Sequence, residues 1–266
     1  MSLISIDQSK CKRDGICAAE CPFHLIVLQG EKGFPEIQPT AEHLCIECGH
    51  CVSVCPHGAL SLASITPDDC LDIPFGPAPD LKKAAQLLQG RRSIRSYQKD
   101  LVPHEHIKQV LEVCRWAPSA RNEQPAHWLI IENQEEVQRL AGHVVDWLRK
   151  ENNYPGLVNA WDHGKDMVLR GAPHLAVVHA STLSSKPRID CTIALTYFDL
   201  AASSHGIGCC WAGILMSAVS MRYQPLLDAL ALPEGHDLYG AMMFGYPRFP
   251  YFRIPPRKPL TATWRK

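Results

Sequence analysis

The spacing of hydrophobic residues changes along the chain and predicts a short first part and a longer second part. In the first part, residues 27–38 contain two short apolar runs separated by a glycine-rich turn, which predicts strand, turn, strand. Residues 60–64 predict a returning strand. In the second part, apolar residues recur every three or four positions after Asp80, a good helix N-cap, and again from Pro103 to Trp116.

Three further segments of the second part have clear patterns. A strand is predicted over residues 127–132, and an apolar strand over residues 238–246. Between them, residues 189–205 predict a helix that ends at Gly206. The apolar residues that form one broad face of this helix are Ile193, Ala194, Tyr197, Leu200 and Ala201.

A proline-rich stretch separates the two parts. Residues 66–80 contain four prolines and a glycine, a composition that favours extended backbone and interrupts helices. We therefore predict an N-terminal domain over residues 1–65, a linker over 66–80 and a C-terminal domain over 81–266.

Composition limits the classes of function. Hydrophobic residues make up 46% of the 266 residues, enough for a core, and 27 basic residues balance 27 acidic ones. This balance predicts neither nucleic-acid binding nor a polybasic membrane anchor. Residues 1–10 lack the apolar centre of a signal peptide, and no later stretch is long and apolar enough to span a bilayer. Seven of the twelve cysteines lie from Cys11 to Cys55 at metal-binding spacing, which favours a reducing cytoplasm.

The strongest chemical signal is the run from Cys45 to Pro56. Its spacing, C-x2-C-x2-C-x3-C-P, is typical of a cubane iron–sulfur site in which the fourth cysteine binds a second cluster. The alternative is a zinc site, but zinc usually takes pairs of ligands from separated segments. A second cluster site is therefore expected elsewhere in the chain.

That second site lies earlier in the chain, at a constant offset from the first. Cys11, Cys17 and Cys21 stand opposite Cys45, Cys51 and Cys55, and Pro22 stands opposite Pro56. This internal duplication resembles the two-cluster bacterial ferredoxins over about residues 1–65. The resemblance implies a small pseudo-symmetric fold with crossed ligand sets. One set, for a 4Fe–4S cluster, is Cys45, Cys48, Cys51 and Cys21; the other is Cys11, Cys17 and Cys55.

The second set departs from the ferredoxin pattern, because Asp14 stands where Cys48 stands in the other half. A carboxylate is a harder ligand than a thiolate and binds iron less firmly in a sulfide cluster. The open outcomes are a 4Fe–4S cluster with an Asp14-ligated iron, a 3Fe–4S cluster, and interconversion between the two. Alternatively, Asp14 faces solvent and is not a ligand.

The segment Gly90-Arg-Arg-Ser-Ile-Arg-Ser-Tyr97 places three arginines and a serine within five residues. Arginine forks match phosphate oxygens, so the segment is a candidate phosphate site; the alternative is a solvated basic patch. The second helix is followed by Ala117-Pro-Ser-Ala-Arg-Asn-Glu-Gln-Pro125 and a strand. This order resembles the FMN-dependent nitroreductase family, and the match covers about residues 82–266.

The family resemblance implies an α+β fold with a central, mostly antiparallel sheet flanked by helices, and an interlocked homodimer with FMN at its interface. Phosphate and ribitol would be held by Arg91, Arg92, Ser93 and Arg95, with Arg257 and Lys258 completing the phosphate site. The isoalloxazine ring would be faced from the partner chain by Pro118, Ser119, Ala120 and Asn122. Its other side would be lined by Cys210, Trp211, Ala212 and Gly213. Ala212 departs from the polar residue that the family often has there.

Together the two resemblances predict an oxidoreductase in which the flavin carries out the chemistry and no side chain is catalytic. The electron donor would be reduced ferredoxin or NAD(P)H, and the acceptor a flat, electron-poor molecule of the nitroaromatic, quinone or enone type. One alternative is an electron carrier between ferredoxin and another enzyme. A second is an iron or redox sensor, which Asp14 motivates.

Overall fold

A computed structural model describes residues 3–30, 33–39, 41–73 and 79–265, with Glu42 described through its backbone alone. The chain forms two compact units. The first comprises Met1–Pro77 together with Arg121–Glu123, and the second comprises Ala78–Ala120 together with Gln124–Lys266. The boundary between Pro77 and Ala78 falls inside the predicted linker, of which residues 74–78 lie outside the described residues.

The first unit is built from short elements around a small core. In chain order they are β1 (Ile4–Ile6), α1 (Ile16–Glu20), β2 (Ile26–Leu28), β3 (Pro35–Ile37), α2 (Ala41–Leu44), α3 (His50–Ser53) and β4 (Leu60–Leu62). β1 pairs with β4 and β2 pairs with β3, both antiparallel. The core contains Ile4, Ile26, Val52, Leu60 and Leu62.

The sequence repeat is also a repeat of backbone conformation. Gly15 and Gly49, which are equivalent positions of the repeat, both have left-handed backbones, with φ of 74° and 71°, immediately before α1 and α3. The same offset relates Arg13 to Glu47 (φ 59° and 47°). Since non-glycine residues adopt positive φ only at a cost, matching exceptions in both halves indicate that each half makes the same turn.

The structure confirms the predicted hairpin, whose residues 31–32 lie outside the described residues. The returning strand β4 forms a second two-stranded sheet with β1. The predicted linker is not wholly extended, because Pro67–Asp69 forms a 3-10 helix. There the Asp69 carboxylate accepts from the backbone N–H and the hydroxyl of Thr66, at 2.8 and 2.7 Å, which stabilises the turn.

The second unit combines longer helices with one sheet. Its elements are α4 (Leu81–Gly90), α5 (His104–Cys114), β5 (His127–Ile131), α6 (Gln134–Lys150), α7 (Pro155–Asp162), β6 (His174–Ser181), α8 (Pro187–Ser204), β7 (Gly208–Trp211), α9 (Gly213–Ser220), α10 (Gln224–Leu230) and β8 (His236–Gly245). The Asp80 side chain accepts from Lys83 N at 2.8 Å, so the predicted N-cap of α4 is confirmed.

The four strands form an antiparallel sheet in the order β5-β6-β8-β7, with a hydrophobic core on each face. Alternate residues of β6 enter different cores: Leu175 and Val177 pack with α6 and α9, whereas Ala176 and Val178 pack with α5 and α8. Burial on both faces explains why the four consecutive residues Leu175 to Val178 of β6 are all apolar.

The helix predicted over residues 189–205 is α8, but its buried face differs from the predicted one. Ala194 is buried as expected. The other residues of the buried core face are Cys191, Leu195, Phe198 and Ala202, whereas Ile193, Tyr197, Leu200 and Ala201 are only partly buried. The predicted residues therefore form a flank of the helix.

Helix length and composition bear on membrane insertion. Within the described part of the chain, no helix has both the length and the apolar character needed to cross a bilayer.

His174 connects the sheet to the segment before α5. Its Nε2 accepts from the buried Val102 N–H at 2.9 Å, and its Nδ1 lies 3.1 Å from Glu132 O. Since a carbonyl oxygen only accepts, Nδ1 carries the proton and the ring is neutral. Burial lowers the pKa of His174, although Glu132 opposes this shift.

We expect His174→Phe to lower the free energy of unfolding by about 1–3 kcal/mol near neutral pH, because it leaves the Val102 N–H unpaired while keeping an aromatic ring against Phe244. The deficit should shrink as the pH falls below about 6.5, because the unfolded wild-type histidine then takes up a proton that the folded ring resists. Denaturant unfolding across this pH range measures both effects. His104→Gln, at an exposed side chain, is the control, and an equal loss in the control would contradict the assignment.

Candidate cluster and flavin sites

The first unit contains two cysteine pockets, each completed by a cysteine from the opposite half. The first cysteine pocket is lined by Cys45, Cys48, Cys51 and, from the other half, Cys21. Burial raises the pKa of the Cys51 thiol to about 11, and the neighbouring thiols of Cys48, Cys21 and Cys45 add to the shift. The thiols of the predicted first set thus face one another.

The second cysteine pocket is lined by Cys11, Asp14, Cys17 and Cys55. The pKa of the Cys17 thiol is raised by burial, then by Cys55, Asp14 and Cys11. Equivalent backbone groups donate to the two crossing cysteines: Leu25 N to Cys21 Sγ and Ala59 N to Cys55 Sγ, each at 3.4 Å. Such N–H donors stabilise a thiolate, the form that binds metal.

Asp14 lines the second cysteine pocket, but one of its oxygens is already used. Asp14 Oδ1 accepts from the backbone N–H of Ile16 at 3.2 Å, at the start of α1. The side chain therefore stands at the position equivalent to Cys48 while also capping its own turn.

In the second unit, residues 90–97, called the arginine segment below, are hydrogen-bonded to β7. Ile94 N donates to Cys209 O at 2.9 Å, and Tyr97 Oη lies 2.8 Å from Ile94 O. A Cβ atom at Gly208 would meet Ile94 Cγ1 at 2.2 Å, so the close packing of the Ile94 side chain against β7 requires glycine at residue 208. Arg91–Arg95 are thereby held along one edge of the sheet.

Asp199, on α8, orients Arg91. Arg91 Nη1 lies 3.2 Å from Asp199 Oδ2, and only 11% of the Asp199 side chain is exposed. Burial raises the pKa of Asp199 to about 6, although the Arg91 cation opposes this shift. A cavity beside this pair is lined by the segment and by α8, including Gly90, Arg91, Arg92, Asp199, Ser203 and Gly208.

Arg92 contributes an unused donor to this region. Its Nη1 donates to Arg91 O at 2.9 Å and its Nη2 to Gln89 O, whereas its Nε is buried without a hydrogen-bond partner among the described residues. A buried guanidinium N–H without an acceptor fits an anionic ligand such as a phosphate.

Arg170 joins the arginines and was not predicted from the sequence. Burial raises the pKa of the Cys210 thiol, and the nearby Arg95 and Arg170 cations oppose this shift, which places both close to Cys210. The Asp166 carboxylate fixes the loop that carries Arg170 by accepting from the N–H groups of Val168, Leu169 and Gly171 at 2.8–2.9 Å.

Residues 210–213 divide into buried and exposed positions. The side chains of Cys210 and Ala212 enter the core that contains α6, whereas Trp211 is 40% exposed and Gly213 is exposed. Of this predicted set, only the Trp211 side chain and the backbone are available to a ligand from solvent.

The predicted loop of residues 118–122 has unusual backbone geometry. Arg121, Asn122 and Gln124 have φ between 46° and 55°, a cost that often marks functional loops. Pro118 and Ser119 line a cavity with Asp190, whose Oδ1 accepts from Ala120 N at 3.0 Å. Asn122 belongs to the first unit, where its amide donates to the carbonyls of Ile46 and Glu47.

The predicted terminal pair, Arg257 and Lys258, lies in a segment without helix or strand. Both side chains are exposed, as is every residue from 251 to 265.

Two parts of the chain match known protein families. Residues 88–246, more than half of the chain, match the model of the nitroreductase family. The chain belongs to this family. Residues 9–60 match the model of a 4Fe–4S dicluster domain. The predictions of a ferredoxin–nitroreductase fusion and of a flavin-dependent oxidoreductase of this family are confirmed.

Two relatives match different parts of the chain. The nitroreductase NfnB from Mycolicibacterium smegmatis is 28% identical over 211 residues, which cover 65% of this chain and 87% of that protein. A subunit of the Na(+)-translocating ferredoxin:NAD(+) oxidoreductase complex from Acetobacterium woodii is 42% identical over 52 residues, which cover 20% of this chain and 14% of that protein.

Solved structures support the fold. A nitroreductase with bound FMN from Bacteroides fragilis has a TM-score of 0.56 at 22% identity and covers 68% of this chain and 99% of its own. A nitroreductase-type protein in complex with FMN from Desulfovibrio desulfuricans has a TM-score of 0.51 at 26% identity, covering 70% and 94%. The predicted α+β fold is confirmed.

Because a methyl group at residue 208 would collide with Ile94, we expect Gly208→Ala to destabilise the protein by about 1–3 kcal/mol and to displace the arginine segment. Thermal unfolding of the purified protein measures the loss. Gly156→Ala is the matched control, because that glycine lies in α7 with open space around it. Identical melting temperatures for both variants would contradict the close approach of residue 94 to β7.

Proposed function

We propose that this chain is an FMN- and iron–sulfur-dependent oxidoreductase that passes electrons from an external donor to a flat, electron-poor acceptor. The observation that carries the proposal is the pair of cysteine pockets with crossed residues, in the same chain as a nitroreductase domain. A cluster transfers single electrons, whereas FMN can collect two and deliver them to an organic molecule.

The cluster ligands are proposed from the residues that line the cysteine pockets. Cys45, Cys48, Cys51 and Cys21 would hold a 4Fe–4S cluster. Cys11, Cys17 and Cys55, with Asp14 as a candidate fourth ligand, would hold a 4Fe–4S or 3Fe–4S cluster. The Leu25 and Ala59 N–H groups would hydrogen-bond to cluster-bound sulfur, an interaction that tunes reduction potential.

The FMN residues are proposed from the arginine segment and the relatives. Arg91, Arg92, Ser93 and Arg95 would bind phosphate and ribitol, and the buried Arg92 Nε offers an unused donor. Asp199 keeps the Arg91 guanidinium in one orientation, which lowers the entropic cost of binding a phosphate. The FMN complex from Desulfovibrio desulfuricans supports this choice of cofactor.

The ring-facing residues are also proposed. On one side they would be Trp211, Gly213 and the backbone of Cys210 and Ala212; on the other, Pro118, Ser119, Ala120 and Asn122 of a second copy. A flat, partly exposed Trp211 suits a planar acceptor of the nitroaromatic, quinone or enone type. Nitroaromatics serve as convenient test acceptors, because fold and cofactor do not fix the natural one.

A homodimer would complete the site. The terminal segment exposes large apolar side chains, including Phe252 (84%), Leu260 (86%) and Trp264 (81%). Exposed apolar residues along one segment indicate an interaction surface. A second copy would cover them, and Arg257 and Lys258, which lie between them, would then complete a phosphate site.

The proposal is tested by anaerobic titration of the purified protein with NADH, NADPH and reduced ferredoxin, following flavin absorption. We expect reduced ferredoxin to bleach the flavin in the wild type and to bleach it far more slowly in Cys48→Ala, which disrupts the first cluster. Cys70→Ala is the control, because Cys70 lies outside both cysteine pockets and contacts Thr66 O.

Absence of flavin absorption would contradict the FMN proposal. Bleaching by NAD(P)H but not by ferredoxin would contradict electron entry through the clusters. Reoxidation of the flavin by a nitroaromatic, quinone or enone supports the enzyme. Reoxidation only by a second redox protein would instead support the electron carrier.

Asp14 gives the sensor alternative a specific test. If Asp14 is the weakest iron ligand of the second cluster, Asp14→Cys should stabilise a 4Fe–4S cluster there and abolish any 3Fe–4S signal after mild oxidation. The reason is that a thiolate holds iron more firmly than a carboxylate. The reciprocal change at the equivalent position, Cys48→Asp, should make the first cluster lose iron. Electron paramagnetic resonance and iron content measure both. Identical spectra for wild type and Asp14→Cys would remove the basis for a labile iron.

A further inference from the structure

Three histidines meet at one end of the sheet in the second unit. His127 begins β5, His179 lies near the end of β6, and His236 begins β8. They are far apart in sequence, so only the strand pairing brings them together.

The strand register places the three side chains on the same face. His127 pairs directly with His179, and directly paired residues of antiparallel strands face the same side. Between β6 and β8, Val178 pairs with Gly240 but His179 pairs with Leu238, so Tyr239 is an extra residue in β8. This bulge shifts the register by one residue and places the His236 side chain on the same face of the sheet as His179.

The distances fit three ligands of one ion. The ring centroids are 5.6 Å apart for His127 and His179, 5.0 Å for His127 and His236, and 5.0 Å for His179 and His236. Three imidazoles that bind one tetrahedral zinc ion through nitrogens at about 2.0–2.1 Å have ring centroids roughly 5 Å apart. Nδ1 of His179 and Nδ1 of His236 already lie 2.9 Å from each other.

Burial and charge also suit a metal. His179 is buried, whereas His127 is exposed and His236 partly exposed, so an ion can enter from solvent. Burial lowers the pKa of His179 to about 4, and His236 and His127 add to the shift. The ring of His179 is therefore neutral near pH 7, the form that binds a metal ion.

We propose that His127, His179 and His236 form a binding site for a divalent transition-metal ion such as Zn²⁺, with water as the fourth ligand. Such an ion would tie β5 and β8 to the central strand β6 where the bulge interrupts the ladder.

The site assembles on binding, since no three ligand side chains of the described residues yet converge on one point. The Nδ1 atoms of His179 and His236 share a proton in their hydrogen bond. When both nitrogens bind the ion, that proton moves to Nε2 of the donor ring, and no net charge is lost. The exposed His127 ring then turns toward the ion.

The test uses the full chain with its clusters and flavin, dialysed against Zn²⁺ in metal-depleted buffer, with bound zinc measured by mass spectrometry. We expect about one zinc per chain. The affinity for zinc should be at least roughly tenfold weaker in His127→Gln and in His236→Gln than in the wild type. His163→Gln is the matched control, because His163 is an exposed histidine outside the group of three. This variant should bind zinc like the wild type.

X-ray absorption at the zinc edge distinguishes zinc bound by the three histidines from zinc bound in the cysteine pockets. Nitrogen ligands at about 2.0–2.1 Å support the proposal, whereas sulfur ligands at about 2.3 Å would assign the zinc to cysteines and overturn it. Wild-type affinity in both His127→Gln and His236→Gln would also overturn it, as would the absence of bound zinc at micromolar concentration. Melting temperatures of the apo variants show whether each one is folded.

Discussion

The first unit depends on the crossing of Cys21 and Cys55 to the opposite half. Neither half of the repeat contains the thiols of a complete pocket by itself, so the two halves must pack together before either cluster could be bound. The left-handed turns at Gly15 and Gly49 start α1 and α3 with Cys17 and Cys51 buried. Cluster binding and folding of this unit would therefore be coupled, as in other small metal-binding domains.

Much of the fold could be predicted from the sequence, because local patterns reported local structure. Asp80 as an N-cap and the hairpin of β2 and β3 depend on neighbouring residues alone. The buried face of α8 could not be predicted equally well. The helix is apolar on most sides, so which side is buried depends on the sheet and α5 that pack against it.

The candidate sites were also only partly predictable from the sequence, because several of their residues depend on tertiary contacts. The grouping of the cysteines into two pockets could be predicted, because the repeat shows which residues are equivalent and the resemblance to two-cluster ferredoxins implies the crossover. Asp199 and Arg170 were missed because each is an isolated charged residue whose role comes from a tertiary contact, with Arg91 in one case and beside Cys210 in the other. The three histidines on β5, β6 and β8 were missed for the same reason, since strand pairing and a bulge align them.

If residues 210–213 face the flavin as proposed, Ala212 would limit how the protein can control it. Its side chain is buried and its N–H already donates to Ala241 O at 2.9 Å, so it offers a ligand nothing from either group. What remains at this position is the start of α9, where the first N–H groups of a helix have no acceptor within the helix. If this segment faces the isoalloxazine, its hydrogen bonds to the ring come from backbone donors. The reactivity of the flavin then depends on the position of α9, which the packing of Leu215 and Ala218 in the core fixes, and less on any single polar side chain.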